Sequence, residues 1–407
     1  MEKVLGIVSE YNPFHNGHLY HLNESKKQSN ADLTICVMSG NFTQRGSTAI
    51  IDKWSRAKMA VQNGVDLVLE LPLIYSISSA ENYAFGSINI LNSLGIVDNI
   101  SFGSECGDIE TLDTFAKVFS EQPKEYVSLL EHELAKGVSF AKAREKAILM
   151  YLTDIRKYAN ILSGSNNILG IEYLKALKQL NSNIKPITIK RDSVDHNSSS
   201  VVNGIASSSE IRKMLKKSNE LSKLMPKSSY DIFIDKMKHG QVVKNITCFE
   251  KEIMYKLRSM SLSQIAELPD VTEGLENAIK TASNTCNNIP DFITQVKSKR
   301  YTQTRIQRIL LYALLDITKE DMEFSKRIVP YVRVLAFNPN GKRIISKISS
   351  PKLNVITSPK KFLIQKNKNK YLKHMLLQDI NATDIYTLAY DYDSNTGLDY
   401  TTQLTTI

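Results

Sequence analysis

Val4-Leu5-Gly6-Ile7-Val8-Ser9-Glu10-Tyr11-Asn12-Pro13-Phe14-His15-Asn16-Gly17-His18 is the stretch on which the reading of the fold turns. Val4 to Val8 is a short β-branched run of the kind that makes a buried strand. Pro13 breaks it, because proline has no backbone N–H to give to a ladder. A helical segment follows through Ser25, and Gly17 at its start allows backbone to approach a ligand closely. A strand turning directly into a helix gathers N–H donors and positive potential at the turn, which suits a phosphate. His15 and His18 add two imidazoles there, able to stabilise charge developing on an α-phosphate.

Outward from this stretch, β-branched runs recur at Leu33 to Met38, Asp66 to Leu71, Asn99 to Phe102 and Ile184 to Ile189. Helical spacing separates them, as in Lys53 to Asn63 and Ser79 to Leu94. Alternation of this kind predicts an α/β fold with a doubly wound parallel sheet, in which ligands sit at the carboxyl ends of the strands. The chain becomes polar and serine-rich around Lys216 to Ser229. Beyond it, helical spacing dominates at Phe249 to Met260, Val271 to Asn284 and Thr304 to Leu315, with strand-like runs at Tyr331 to Phe337 and Lys352 to Ile356. A length of 407 residues is comfortable for two domains. The expected division is a catalytic domain over 1–220 and a mainly helical, basic region with a small α/β end over 221–407. The patch Lys366-Asn367-Lys368-Asn369-Lys370 is expected to be exposed.

The net charge of +10 is unevenly distributed: Asp291 to Met375 holds 19 Lys and Arg against 5 Asp and Glu, leaving the rest of the chain net acidic. A confined basic field fits a polyanionic partner, and equally a solvated lysine-rich face. Lys297, Lys299, Arg300, Arg305 and Arg308 surround Tyr301, mixing cations with an aromatic as nucleic-acid surfaces do. Arg305 and Arg308, three apart on a helix, could grip adjacent phosphates. No run of about 18 uncharged apolar residues is present, so no membrane partner and a cytoplasmic location are expected. Cys36, Cys106, Cys248 and Cys286 are scattered singly, which argues against a disulfide framework or a cysteine zinc site. His15, His18 and His21 could partly share a helix face. With no Asp, Glu or Cys at companion spacing, a structural role for His21 is preferred and no protein metal site is assigned. Trp54, spaced with Ala57 and Val61, reads as core. Gln44 and Arg45 fall in a loop after the second strand and could meet phosphate or RNA.

The His15-Asn16-Gly17-His18 element resembles the H-x-G-H signature of the nucleotidyltransferase superfamily. Ile205-Ala206-Ser207-Ser208-Ser209-Glu210-Ile211-Arg212 is similar to its second element, with Ala206 and Ser209 where isoleucine and threonine are usual. Helix capping alone would account for those serines. Further segments narrow the resemblance: Met38-Ser39-Gly40-Asn41-Phe42-Thr43-Gln44-Arg45-Gly46, Gly64 to Pro72, Phe102-Gly103-Ser104-Glu105, Ser165 to Gly170, Lys299 to Arg308 and Phe337-Asn338-Pro339-Asn340-Gly341. Together with Gly6 to His21 they resemble the bacterial tRNA(Met) cytidine acetate ligases along nearly the whole chain.

This resemblance implies that ATP is held by Ile7, Val8, Ser9, Glu10, Tyr11, Asn12, Pro13, Phe14, His15, Asn16, Gly17, His18, Leu19 and Tyr20, and by Gly103, Asn166 and Arg191. Each of the last three also has a plainer reading, as a turn, a helix cap and a surface charge. Ser208, Ser209 and Arg212 are phosphate-binding candidates. The implied chemistry is activation of acetate as acetyl-adenylate, followed by acetylation of the exocyclic amine of the wobble cytidine in elongator tRNA(Met). His15 and His18 would be catalytic, and Mg²⁺ is expected with the triphosphate. No stable protein partner is indicated. One rival is a metabolic adenylyltransferase acting on a small phosphorylated substrate without RNA, which would not need the basic stretch. Another is a non-catalytic RNA-binding protein, which would release no pyrophosphate.

Overall fold

The computed structural model describes residues 2–191, 207–214, 218–348, 353–366, 369–392 and 395–407. Ile205, Ala206, Lys216, Lys352, Asn367 and Lys368, named above, lie outside the described residues. The described strands are β1 (Val4–Ser9), β2 (Leu33–Ser39), β3 (Phe42–Thr43), β4 (Ser47–Thr48), β5 (Leu67–Leu71), β6 (Asn99–Ser104), β7 (Lys185–Lys190), β8 (Val332–Phe337), β9 (Val355–Ile356) and β10 (Thr405–Thr406). One sheet runs in the order β10-β8-β5-β2-β1-β6-β7, with β9 beside β8, while β3 and β4 form a separate hairpin.

Strands β5, β2, β1, β6 and β7 are mutually parallel, with Ile7 opposite Cys36 on one side and Ser101 on the other. Alternate side chains leave on opposite faces, as the pleat requires. Val4, Ile35, Val37 and Leu69 enter one core, and Leu5, Ile7, Cys36, Met38 and Val68 the other. Both faces are therefore buried, which is why the strands read as apolar runs rather than alternating ones. From β1 the chain winds one way through β2 and β5, then crosses to β6 and β7. The reversal opens a crevice at the carboxyl ends of β1 and β6, the usual position for a ligand in such sheets.

The small α/β end does not stand apart. Strand β8 pairs antiparallel with β5 and carries β9 and β10 with it. Asn338, just after β8, donates its side-chain amide to Asp66 Oδ1 at 2.8 Å. The long helix Lys370–Thr387 also reaches back: Tyr386 donates its hydroxyl to the Ala49 carbonyl at 2.8 Å, and Asp379 accepts the Leu73 N–H at 2.8 Å. Behind these contacts lies a buried charge cluster. Lys53 Nζ stands 2.8 Å from both Glu70 and Asp399, and Arg333 pairs with Glu70 at 3.0 Å and with Asp399. Asp379 is a third carboxylate against two cations. Burial, then repulsion from Glu70, pushes its carboxyl up to about 7 despite nearby Lys53.

The polar stretch expected to mark a break is partly structured: Leu221, Leu224 and Met225 are buried in the second core, and Lys227–Lys238 is a helix. Helices Lys124–Ala135 and Phe140–Leu152 form a packed pair that the spacing did not reveal. Trp54 is buried, as its spacing predicts.

Candidate active site

The turn after β1 is built around caps. His15 is the N-cap of the helix Asn16–Ser29; its Nδ1 accepts the Gly17 N–H at 3.1 Å, while its own N–H donates to His18 Nδ1 at 3.3 Å. A backbone N–H can only donate, so both Nδ1 atoms are unprotonated and both neutral rings carry hydrogen on Nε2. The rings stack with centroids 3.7 Å apart. His15 Nε2–H is 3.0 Å from Ser208 Oγ. Burial, then the Arg191 and Arg212 charges, brings the His15 pKa down from 6.5 to about 3. Burial, then neighbouring His15, also holds His18 well below the ordinary range. These are neutral hydrogen-bond donors at physiological pH.

The cavity at the crevice has a volume of about 240 Å³. It is lined by Ile7, Val8, Ser9, Glu10, Tyr11, Asn12, Gly17, His18, Gly103, Asn166, Arg191, Ser208, Ser209 and Arg212 among the residues expected from sequence. His15 adjoins it through His18 and Ser208. The other five residues of the expected run serve the turn or the helix. Pro13 follows a cis peptide bond, Phe14 is core, Leu19 packs against that core and Tyr20 is 45% exposed. Asn16 donates its backbone N–H to the Leu224 carbonyl at 2.9 Å and its side-chain amide to the Lys223 carbonyl at 2.9 Å. His21 also lines the cavity, with Nε2 3.4 Å from Ser101 Oγ; burial and the Arg191 charge lower it to about 4.

Two arginines face the cavity, each held by a neutral acceptor. Arg191, just after β7, donates to Asn166 Oδ1 at 3.0 Å, and Arg212 donates to the Asn12 carbonyl at 2.9 Å. Asn166 is oriented in turn by Glu105, which accepts its backbone N–H at 3.0 Å and its side-chain amide at 2.7 Å. Gly103 keeps the approach open: a Cβ there would stand 3.2 Å from Arg191 Cγ and Cδ. Sequence reasoning quoted Glu105 only as part of a motif, since its contacts with Asn166 depend on tertiary structure. Arg56 was missed entirely. Its guanidinium is buried and donates to the carbonyls of Ile51 at 3.0 Å, Glu10 at 2.6 Å, Ser39 at 3.1 Å and Gly40, tying together the carboxyl ends of β1 and β2. Gln44, Arg45, Tyr83, Phe102, Leu169 and Tyr173 complete much of the wall.

The RNA candidates separate into two groups. Lys297, Lys299 and Arg300 are exposed, with Arg300 paired to Glu273 at 2.6 Å. Arg308 is buried and directs its Nε and Nη2 at Asp270 Oδ2 at 3.0 and 2.9 Å. Arg305 donates to the Asp270 carbonyl at 2.9 and 2.6 Å. Instead of projecting freely from the helix Gln303–Leu314, the two guanidiniums are both engaged by one loop, at the carbonyl and the carboxylate of Asp270.

The fold and cavity define a nucleotidyl transferase, and the HIGH Nucleotidyl Transferase family model matches residues 2–399. The relatives narrow this further. The chain is 44% identical over 397 residues to a tRNA(Met) cytidine acetate ligase of Acetivibrio thermocellus, covering 95% of each chain. It is 45% identical to one of Thermoanaerobacter sp., covering 98% of each. Crystal structures of Thermotoga maritima TmcAL superpose with TM-scores of 0.95 for the apo form and 0.92 for the form bound with alpha-thio ATP, both at 33% identity. These matches cover 100% and 99% of this chain respectively, and 99% of each TmcAL chain. The chain belongs to the tRNA(Met) cytidine acetate ligase family.

Proposed function

We propose that this protein uses ATP to activate acetate and transfers the acetyl group to the wobble cytidine of elongator tRNA(Met), giving N(4)-acetylcytidine. The observation that carries this reading is the end-to-end similarity to ligases of that name, spanning both the crevice and the basic stretch. The geometry supplies the chemistry. An acetate oxygen attacks the α-phosphorus, the bond to the β-phosphate oxygen breaks, and pyrophosphate leaves. His18 lines the cavity, and His15 is stacked on it with Nε2 bound to Ser208 on the cavity wall. These donors stabilise the charge on the α-phosphate without an imidazolium having to form. Arg191 and Arg212 neutralise the departing pyrophosphate; their hydrogen-bond acceptors are neutral, and the carboxylates of Glu105 and Glu10 act on them only through space.

In the second step the cytidine amine attacks the acetyl carbonyl carbon, AMP leaves and the amine loses one proton. Mg²⁺ would accompany the triphosphate and offset its charge. Among the described residues no group of three carboxylate, histidine or cysteine side chains is arranged to hold a metal, so the ion would rely on phosphate oxygens, with Glu10 the carboxylate on the cavity wall. The exposed Lys297, Lys299 and Arg300 would meet the tRNA. The decisive assay follows acetate-dependent exchange of pyrophosphate into ATP and acetylation of purified elongator tRNA(Met) together. Acetylcytidine at the wobble position is expected. ATP turnover indifferent to acetate, with no RNA product, would replace this reading with that of a metabolic adenylyltransferase.

A further inference from the structure

Arg45 occupies an unusual position. It lies at the tip of the β3–β4 hairpin, exposed to solvent, yet it forms part of the wall of the nucleotide cavity. Its guanidinium has no hydrogen-bond or ion-pair partner among the described residues. The hairpin presenting it is firmly held. Gln44 donates its backbone N–H to Glu10 Oε1 at 2.9 Å and its side-chain amide to the Ser78 carbonyl at 3.0 Å, and Thr43 Oγ1 donates to the Ser47 carbonyl at 3.0 Å. Gly46, at φ 73°, lies so close to the helix Gln303–Leu314 that a Cβ would stand 2.5 Å from the Arg308 nitrogen. One side of this turn therefore borders the nucleotide cavity and the other rests on a helix of the basic stretch.

We infer that Arg45 binds a backbone phosphate of the acceptor RNA, next to the cytidine that enters the cavity. This rests on the function proposed above. A base whose amine must reach an adenylate inside a crevice leaves its own sugar-phosphate outside, at the rim. Arg191 and Arg212, bound to Asn166 and to the Asn12 carbonyl on the cavity wall, already stand where the triphosphate needs cations. Arg45 is at the rim, on a turn that cannot swing inward without breaking the contacts of Gln44 and Gly46. It also stays near enough for its charge to act on Arg212, whose pKa is lowered first by burial and also by Arg45. Arginine suits the role, because its planar fork can grip a phosphodiester through two N–H bonds.

The test compares wild type, R45A and R45K in the two half-reactions, with tRNA affinity measured across a salt series. R45A is expected to lower kcat/KM for tRNA roughly 10- to 100-fold more than it lowers acetate-dependent pyrophosphate exchange. The slope of log affinity against log salt should shrink by about 0.7, the value for one single-strand phosphate contact. R45K should fall between the two, keeping the charge without the fork. Equal loss of both half-reactions would assign Arg45 to the phosphates of ATP and overturn the inference, as would R45A behaving like wild type in all three measurements. Wild-type protein that fails to acetylate tRNA would instead remove the function on which the inference rests.

Discussion

Arg191 and Arg212 can be set against Arg308 and Arg333. The first two face the cavity and are held by an amide oxygen and a peptide carbonyl. The other two, outside the cavity, are held by carboxylates: Arg308 by Asp270, Arg333 by Glu70 and Asp399. The acceptors holding Arg191 and Arg212 are neutral, with the Glu105 and Glu10 carboxylates acting on them only through space, whereas a directly bound carboxylate cancels the charge. The same residue type thus lines a cavity in one region and serves as a fastening in the other. What separates them is the partner, which no local stretch of sequence displays.

The sharpest way to break this contrast is Arg333→Ala. Removing one partner of a buried cluster should lower stability by about 3–5 kcal/mol, read as a fall in Tm; an unchanged Tm would mean the cluster is not a fastening. Arg191→Ala should do the opposite, cutting acetate-dependent pyrophosphate exchange by about 10²–10³-fold with Tm nearly unchanged, and a large Tm loss would erase the distinction. The histidines add a pH signature. The His15 pKa is lowered on folding, from 6.5 to about 3, so its contribution is complete above pH 6.5 and is lost as the pH falls towards 3. Denaturation series should give a slope of about 1.4 kcal/mol per pH unit from this group within that window. His15→Asn, which keeps a capping oxygen, should flatten that limb; an identical slope would contradict a neutral buried imidazole. Smallest of all, Arg300→Ala removes an exposed pair and should shift stability by less than about 1 kcal/mol. Weaker tRNA binding without destabilisation would place Arg300 among the available cations.

Much of the first half of the chain was legible in the sequence, because a strand buried on both faces leaves a compact apolar run and the turn after it carries its own chemistry. The runs at Leu33, Asp66, Asn99 and Ile184 mark strands β2, β5, β6 and β7 to within a residue or two at most ends. Other features depend on pairs distant in the chain. That Tyr331 to Phe337 is a strand could be read, but its place beside β5 could not. Arg305 and Arg308 look like a basic stripe until Asp270 is seen holding both. Glu105 becomes informative once Asn166 is brought against it, and Arg56 once four carbonyls surround it.

The antiparallel pairing of β8 with β5 has a consequence for how the protein is made. A ribosome delivers Leu67–Leu71 early and Val332–Phe337 late, tens of seconds apart at about 5–20 residues per second. Throughout that interval the nascent chain carries an unpaired strand edge, the kind of template on which polypeptides aggregate. Completion of the sheet is thus postponed until most of the message has been read, and a prematurely terminated product lacks the segment that closes its own edge.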